Sequence, residues 1–220
     1  MWFAGPARRV PDAGRPAVLR PGFDLAPGMR VGLYGGSFNP VHEGHLQVAR
    51  TAKARLGLDK VIWLVTPGNP LKEPPTDLDA RLKAVESRVA DPSMIVSGLE
   101  ARTASRFSLD TVRILKAHYP GVRFVWIMGA DNLAGFHRWR GWSEIMRQVP
   151  VAIVARPGAM LSGLSSPAAR RFAHARVPVS RAKRLPLMAP PAWVFLPTPL
   201  NFASSTALRS QGPRSQGLVR

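Results

Sequence analysis

Apolar runs too continuous for half-exposed strands alternate along this chain with stretches at helical spacing. Arg30-Val-Gly-Leu-Tyr34, closed by Gly35-Gly36, predicts a buried strand over residues 30–34 that stops in a turn. Leu46, Ala49, Ala52 and Leu56 recur three or four apart and end at Gly57, which predicts a helix over 46–56. The same reasoning predicts strands over 61–65, 94–96, 122–128, 151–155 and 193–196. Helices are predicted over 78–89, 108–118 and 142–147, with a short one in 167–174 between loops. Strands that are apolar throughout, each followed by a helix, belong in a parallel sheet covered on both faces. The fold class is therefore α/β, a Rossmann-like parallel sheet with helices on both sides. Ligands of such sheets bind beyond the carboxyl ends of the strands, near the point where strand order reverses. That rule selects residues 35–45, 67–72 and 129–131, and Arg156.

The flanks have a different texture. Residues 1–28 carry Pro and Gly at short intervals with no helical or strand period, so they are expected to be a flexible extension. The domain is expected over 29–210, with a tail over 211–220. Apolar residues make up 45% of the 220, enough for a core. No apolar run approaches the ~20 residues that span a bilayer, and the first residues lack the apolar stretch of a secretory signal. The chain therefore reads as soluble and cytoplasmic. The absence of Cys excludes a disulfide framework, a thiolate nucleophile and a Cys-based zinc site. Charge adds one more element: 31 basic residues against 13 acidic ones give +18, with no acid after Glu144. This balance suits nucleotide phosphates, nucleic acid or an anionic membrane. It equally suits a proteome in which Arg is the ordinary solvated surface residue.

Candidate chemistry concentrates in Gly35-Gly-Ser-Phe-Asn-Pro-Val-His-Glu-Gly-His45. Two glycines after a strand let backbone approach a ligand closely, and the helix start that follows offers free N–H groups to an anion. His42 and His45 stand three apart, so on a helix they face the same way. Two imidazoles beside a helix N-terminus make a site for a phosphate whose charge rises during reaction. The spacing is wrong for the His-Glu-x-x-His helix of zinc proteases, and neither a Walker A loop nor a Gly-x-Gly-x-x-Gly fingerprint occurs here. The competing reading is a pair of surface histidines on a capped helix.

This stretch resembles the His-x-Gly-His signature of the nucleotidyltransferase superfamily of adenylyl- and cytidylyltransferases. Ser204-Ser-Thr-Ala-Leu-Arg209 resembles that superfamily's second signature, Ser-Ser-Thr-x-Ile/Leu-Arg. Between them, Pro67-Gly-Asn-Pro-Leu-Lys72, Phe107-Ser-Leu-Asp-Thr111, Gly129-Ala-Asp-Asn-Leu, Arg138-Trp-Arg-Gly-Trp142 and Arg156-Pro-Gly158 are similar to the bacterial nicotinate-nucleotide adenylyltransferases. The resemblance covers roughly 29–210 and implies a single nucleotidyltransferase domain. It implies transfer of AMP from ATP to nicotinate mononucleotide, giving deamido-NAD and pyrophosphate without a covalent enzyme intermediate.

The resemblance also implies roles for named residues. Gly35, Gly36, Ser37, Phe38, His42 and His45 would meet ATP, together with Ser204, Ser205, Thr206 and Arg209. His42, His45 and Arg209 would be the catalytic set, Arg209 holding the leaving pyrophosphate. Asn39, Lys72, Phe107, Ser108, Asp131, Trp139 and Arg156 would bind the acceptor. Trp139 would stack on the pyridine ring, and Lys72 and Arg156 would hold the mononucleotide phosphate. Asp131 would bond a ribose, although an Asp at a helix start or turn is common. Mg²⁺ would travel on the ATP phosphates with no protein-built site. Two departures stand out. Phe107-Ser108 replaces the usual Tyr-Thr, and the chain ends without the relatives' Val-x-x-Tyr-Ile. Sister enzymes acting on nicotinamide mononucleotide or pantetheine phosphate are the nearest alternative. A nucleic-acid-binding protein is the more distant one, and no RRM, KH or zinc-finger pattern accompanies the charge.

Overall fold

In the computed structural model, residues 22–67, 77–103, 107–156 and 160–198 are described. Their strands are β1 (Arg30–Gly36), β2 (Lys60–Val65), β3 (Met94–Ser97), β4 (Arg123–Gly129), β5 (Val151–Val154), β6 (Arg176–Val177) and β7 (Trp193–Leu196). Their helices are α1 (Glu43–Leu56), α2 (Leu78–Glu86), α3 (Leu99–Arg102), α4 (Ser108–His118), α5 (Ala130–Gly135), α6 (Trp142–Gln148), α7 (Met160–Leu164) and α8 (Pro167–Arg171). The strands form one parallel sheet in the order β3-β2-β1-β4-β5-β7-β6. The chain builds outward from β1 to β3, then crosses back and builds the other way from β4. The reversal therefore falls between β1 and β4.

Alternation along each strand divides the core into two faces. Val31, Leu33, Trp126 and Met128 point to one side and pack with Leu99, Val112, Leu115, Leu133 and Ile145 of α3 to α6. Tyr34, Trp63, Val125 and Ile127 point to the other and pack with Leu46, Ala49, Ala52, Leu56 and Val85 of α1 and α2. The expected core positions of Trp63 and Trp126 hold, since both are at most 1% exposed. Helix α1 ends at Gly57, whose φ of 64° is the left-handed turn that glycine adopts without a Cβ clash.

Expected strands lie within two residues of those observed. Helix α1 begins at Glu43 rather than 46, because His42 caps it in extended conformation. Helix α2 stops at Glu86, short of the expected 89, in a turn where Arg88 bonds back to Val85. The segment expected to be loops around one short helix is more ordered than that. It holds α7, α8, the two-residue edge strand β6 and a 3₁₀ stretch over Val179–Leu187. Its apolar positions, Val179, Ala182 and Leu185, recur every three residues, a 3₁₀ period that a search for 3.6 misses. The second signature, residues 204–209, lies outside the described residues, as do most of the N-terminal extension and the C-terminal tail. Among the described residues no helix is long and apolar enough to cross a membrane.

Leu56 is fully buried where α1 closes on the sheet. Leu56→Ala is expected to lower the unfolding free energy by about 2–5 kcal/mol, measured by urea denaturation. A loss below about 1 kcal/mol would mean that the helix does not depend on this contact.

Candidate active site

The turn after β1 is held by aromatic packing. The last ladder bond here runs from the Thr66 N–H to the Gly36 carbonyl at 3.0 Å. Beyond it Phe38 takes φ 47°, a left-handed conformation that costs an L-residue about 1–2 kcal/mol. Its ring is buried among Tyr34, His45 and Trp63, with centroids 5.3, 5.1 and 5.0 Å away. That burial offsets the strain and fixes the path of the chain into α1. His42 is the N-cap, and its backbone N–H donates to His45 Nδ1 at 3.3 Å. The two imidazoles lie 3.8 Å apart, centroid to centroid. The spacing of three residues thus places both rings together at the head of the helix.

Burial keeps both rings neutral. Desolvation, with the Arg156 guanidinium adding to it, lowers the pKa of His42 from 6.5 to about 4. Desolvation, with its His42 neighbour and Arg156 adding, lowers that of His45 to about 2. Because Nδ1 of His45 accepts a backbone N–H, the proton of the neutral ring sits on Nε2. His42 Nδ1 is buried without a hydrogen-bond partner. The Tyr34 hydroxyl is pushed well above its ordinary range by burial, so it too is neutral.

A second group comes from the ends of β4 and β5. Asp131 lies in the first turn of α5 and pairs with Arg156 at 3.7 Å. Gly129 lies beneath them: a Cβ there would overlap the Asp131 carboxylate and approach Arg156 Cδ to 2.8 Å. The Arg156 field acts on His42, His45 and Tyr34 alike, so the two groups share one end of the sheet. Phe107 caps α4 in extended conformation, with the Arg140 guanidinium 4.5 Å over its ring, and Ser108 opens that helix. Trp139 closes the turn that follows α5. It is half-buried against the core, edge-on to Phe136 at 5.3 Å and to Trp126 at 6.5 Å, because a 3₁₀ turn over Phe136–Arg138 folds it back.

Gly35 and Gly36 close β1, while Ser37 and half-buried Asn39 lie in the turn. Lys72, Ser204, Ser205, Thr206 and Arg209 lie outside the described residues. The described chain before the second signature reaches the helix that carries the histidines: Gln47 Nε2 on α1 donates to Thr198 Oγ1 at 2.8 Å. Among the described residues no group of three His, Cys, Asp or Glu side chains converges as a metal cage.

Two buried polar groups escaped the sequence reading. Arg81 on α2 is 3% exposed. Its Nη1 donates to the carbonyls of Ser37 (2.9 Å) and Thr66 (2.7 Å), and its Nη2 to that of Pro67 (3.2 Å). Its signal was an Arg at a core-facing position of the pattern Leu78, Leu82, Val85. Glu100 is buried and accepts from Thr111 Oγ1 at 2.9 Å. Its pKa is raised by burial against the opposing effect of that bond. The only signal for it was an acid in a short apolar segment.

The family model described as "Cytidylyltransferase-like" matches residues 33–211. A protein of a Caulobacter species named "Probable nicotinate-nucleotide adenylyltransferase" is 60% identical over 185 residues, covering 83% of this chain and 98% of that one. One of the same name from Cereibacter sphaeroides is 52% identical over 185 residues, covering 84% and 98%. The solved Plasmodium falciparum nicotinic acid mononucleotide adenylyltransferase complexed with NaAD superposes with TM-score 0.62 over 83% of each chain. At 14% identity it speaks for the fold alone.

The histidine shifts have a definite sign. Both native pKa values lie below 6.5, so the unfolded chain binds more protons. The stability from keeping the rings neutral is complete above about pH 6.5. It falls as the pH drops, towards 4 for His42 and towards 2 for His45. Imidazole NMR should show neither ring titrating between pH 8 and 5.5, while urea midpoints decline below pH 6.5. A midpoint near 6.5 for either ring would mean that the pair is not desolvated.

Proposed function

We infer the reaction from the premise that this chain belongs to the nicotinate-nucleotide adenylyltransferases of the cytidylyltransferase-like family. The enzyme transfers the AMP moiety of ATP to nicotinate mononucleotide, forming deamido-NAD and pyrophosphate, a step of NAD biosynthesis. A phosphate oxygen of the mononucleotide attacks the α-phosphorus of ATP, and the bond from that phosphorus to the pyrophosphate oxygen breaks. A phosphate monoester at neutral pH is already anionic, so no general base is required. The protein's work is to align two polyanions and stabilise the charge that builds between them.

The observation that carries the site assignment is the neutral imidazole pair at the head of α1, beyond β1 and beside the Arg156 guanidinium. His45, with its proton on Nε2, donates to the α-phosphoryl oxygen, and His42 donates beside it. A bound triphosphate raises both pKa values, which strengthens these bonds as charge accumulates. Gly35, Gly36, Ser37 and Phe38 line the ATP phosphates. Ser204, Ser205, Thr206 and Arg209 complete that side from the second signature, Arg209 taking the leaving pyrophosphate. Arg156 and Lys72 hold the mononucleotide phosphate. Asn39 and Asp131 bond the acceptor nucleotide, Asp131 its ribose.

The acceptor ring is read on the other face of the sheet. Backbone N–H groups around Phe107 and Ser108 meet the nicotinate carboxylate. Replacement of the family's Tyr-Thr leaves those backbone donors in place. Trp139, supported edge-on by Phe136, stacks on the pyridine. Mg²⁺, the metal implied for this reaction, would be carried by the ATP phosphates and water.

His45→Ala is expected to lower kcat about 10²–10³-fold in a coupled pyrophosphate assay with ATP and nicotinate mononucleotide; near-parental kcat would remove His45 from the mechanism. The same assay should prefer the acid to nicotinamide mononucleotide, because the amide leaves carboxylate donors unpaired. Equal rates would overturn the substrate assignment.

A further inference from the structure

Strands β1 and β2 stay paired up to the Gly36–Thr66 bond, beyond which the described chain continues through Ser37 on one side and Pro67 on the other. From that point a side chain takes over from the ladder. One guanidinium, Arg81, bonds Ser37 on the first loop and both Thr66 and Pro67 on the second. Its helix is itself tied down at this end, since the Asp77 carboxylate caps α2 by accepting from the Ala80 N–H at 3.1 Å.

We propose that Arg81 is a positioning residue for adenylyl transfer: it holds the histidine-bearing turn at a fixed separation from the loop after β2. The proposal rests on the reaction given above. The Ser37 carbonyl is drawn towards Arg81, and the peptide bond is planar, so the Phe38 N–H points the opposite way. That same peptide enters the left-handed Phe38, which sets the path to His42 and His45. Removing the guanidinium therefore frees the turn at its strained residue and lets the two loops move independently. Lysine does not substitute. Its ammonium is a compact, strongly hydrated charge, whereas this site uses both terminal nitrogens of a planar fork against carbonyls from two loops. Arg81 touches no reacting atom in this scheme. Its effect falls on how the nucleotides meet, and each one's separate affinity is left near the parental value.

The test uses the full chain with Arg81→Lys and, as a second variant, Arg81→Gln. Formation of deamido-NAD from ATP and nicotinate mononucleotide by the parental enzyme is measured first. Its failure would sink the reaction itself and leave hydrogen exchange to judge Arg81. In a folded variant kcat should drop about 10²-fold, the cost of a misplacement near 1 Å. The Kd of ATP alone and of the mononucleotide alone should each stay within about threefold of parental, the pattern of an interaction felt only in the transition state. The Thr66 and His45 amides, bonded to Gly36 and His42, should exchange faster while those of β4 do not. Parental kcat, or a kcat that falls only in step with lost ATP affinity, would overturn the proposal. So would unchanged exchange at Thr66 and His45. If neither variant folds, Arg81 is a stability residue and the positioning role is likewise overturned.

Discussion

Holding one buried and one half-buried imidazole together at the head of one helix constrains much of the structure around them. A dry pocket favours the uncharged ring, and it needs walls. Tyr34 and Trp63 project side by side from the same face of β1 and β2, and Phe38 closes the gap only by taking a left-handed backbone that the surrounding rings enforce. The constraint also shapes the chemistry. A neutral imidazole brings a directed N–H and no full charge, so neutralising a polyanion falls to a cation close by. Arg156 stands close enough to depress both histidines and is itself restrained by Asp131. Donor and cation are thus separate groups, the one at the head of α1 and the other just beyond β5, with the sheet fixing the distance between them.

In the proposed reaction the sheet would also sort the two substrates. Side chains alternate along each strand, so the histidine wall occupies one face, while Phe107, Ser108 and Trp139 ride on helices and turns packed against the other. On that proposal, reactants arriving from opposite faces would meet at the carboxyl edge where the strand order reverses, between β1 and β4. Gly129 ends β4 at that edge, where any side chain would strike Asp131 and Arg156. A reaction that proceeds by alignment, with no covalent intermediate, suits a site whose parts are held by backbone register.

Much of this was legible in the chain because apolar runs and helical spacing are local signals. The parallel sheet, the buried Trp63 and Trp126 and the paired histidines all follow from residues close together in sequence. Three features did not. The 3₁₀ stretch over Val179–Leu187 has a period of three hidden in Pro- and Arg-rich composition. Trp139 lies among polar neighbours that suggest a loop, yet its position depends on Phe136, which is buried only through tertiary packing. Arg81 and Glu100 are charged residue types that sequence reasoning assigns to the surface. Their partners, backbone carbonyls for the one and Thr111 for the other, are specified by the fold.

Arg81 also points to a general requirement of such clefts. Where a parallel sheet binds phosphate beyond its strand ends, backbone N–H groups must face the ligand. Peptide planarity then turns their carbonyls away from it, towards the protein, at the very place where the ladder has stopped supplying donors. Each buried carbonyl left unmet costs about 1–3 kcal/mol, and an apolar side chain at this position would leave those of Ser37, Thr66 and Pro67 to other donors. Water could meet them only by entering the wall that keeps the imidazoles dry. A guanidinium carried in on a neighbouring helix supplies several donors in one rigid plane and excludes water as it does so. On the proposed function, the buried cation behind the loops and the neutral histidines in front of them are two consequences of presenting backbone donors to a phosphate inside an apolar fold.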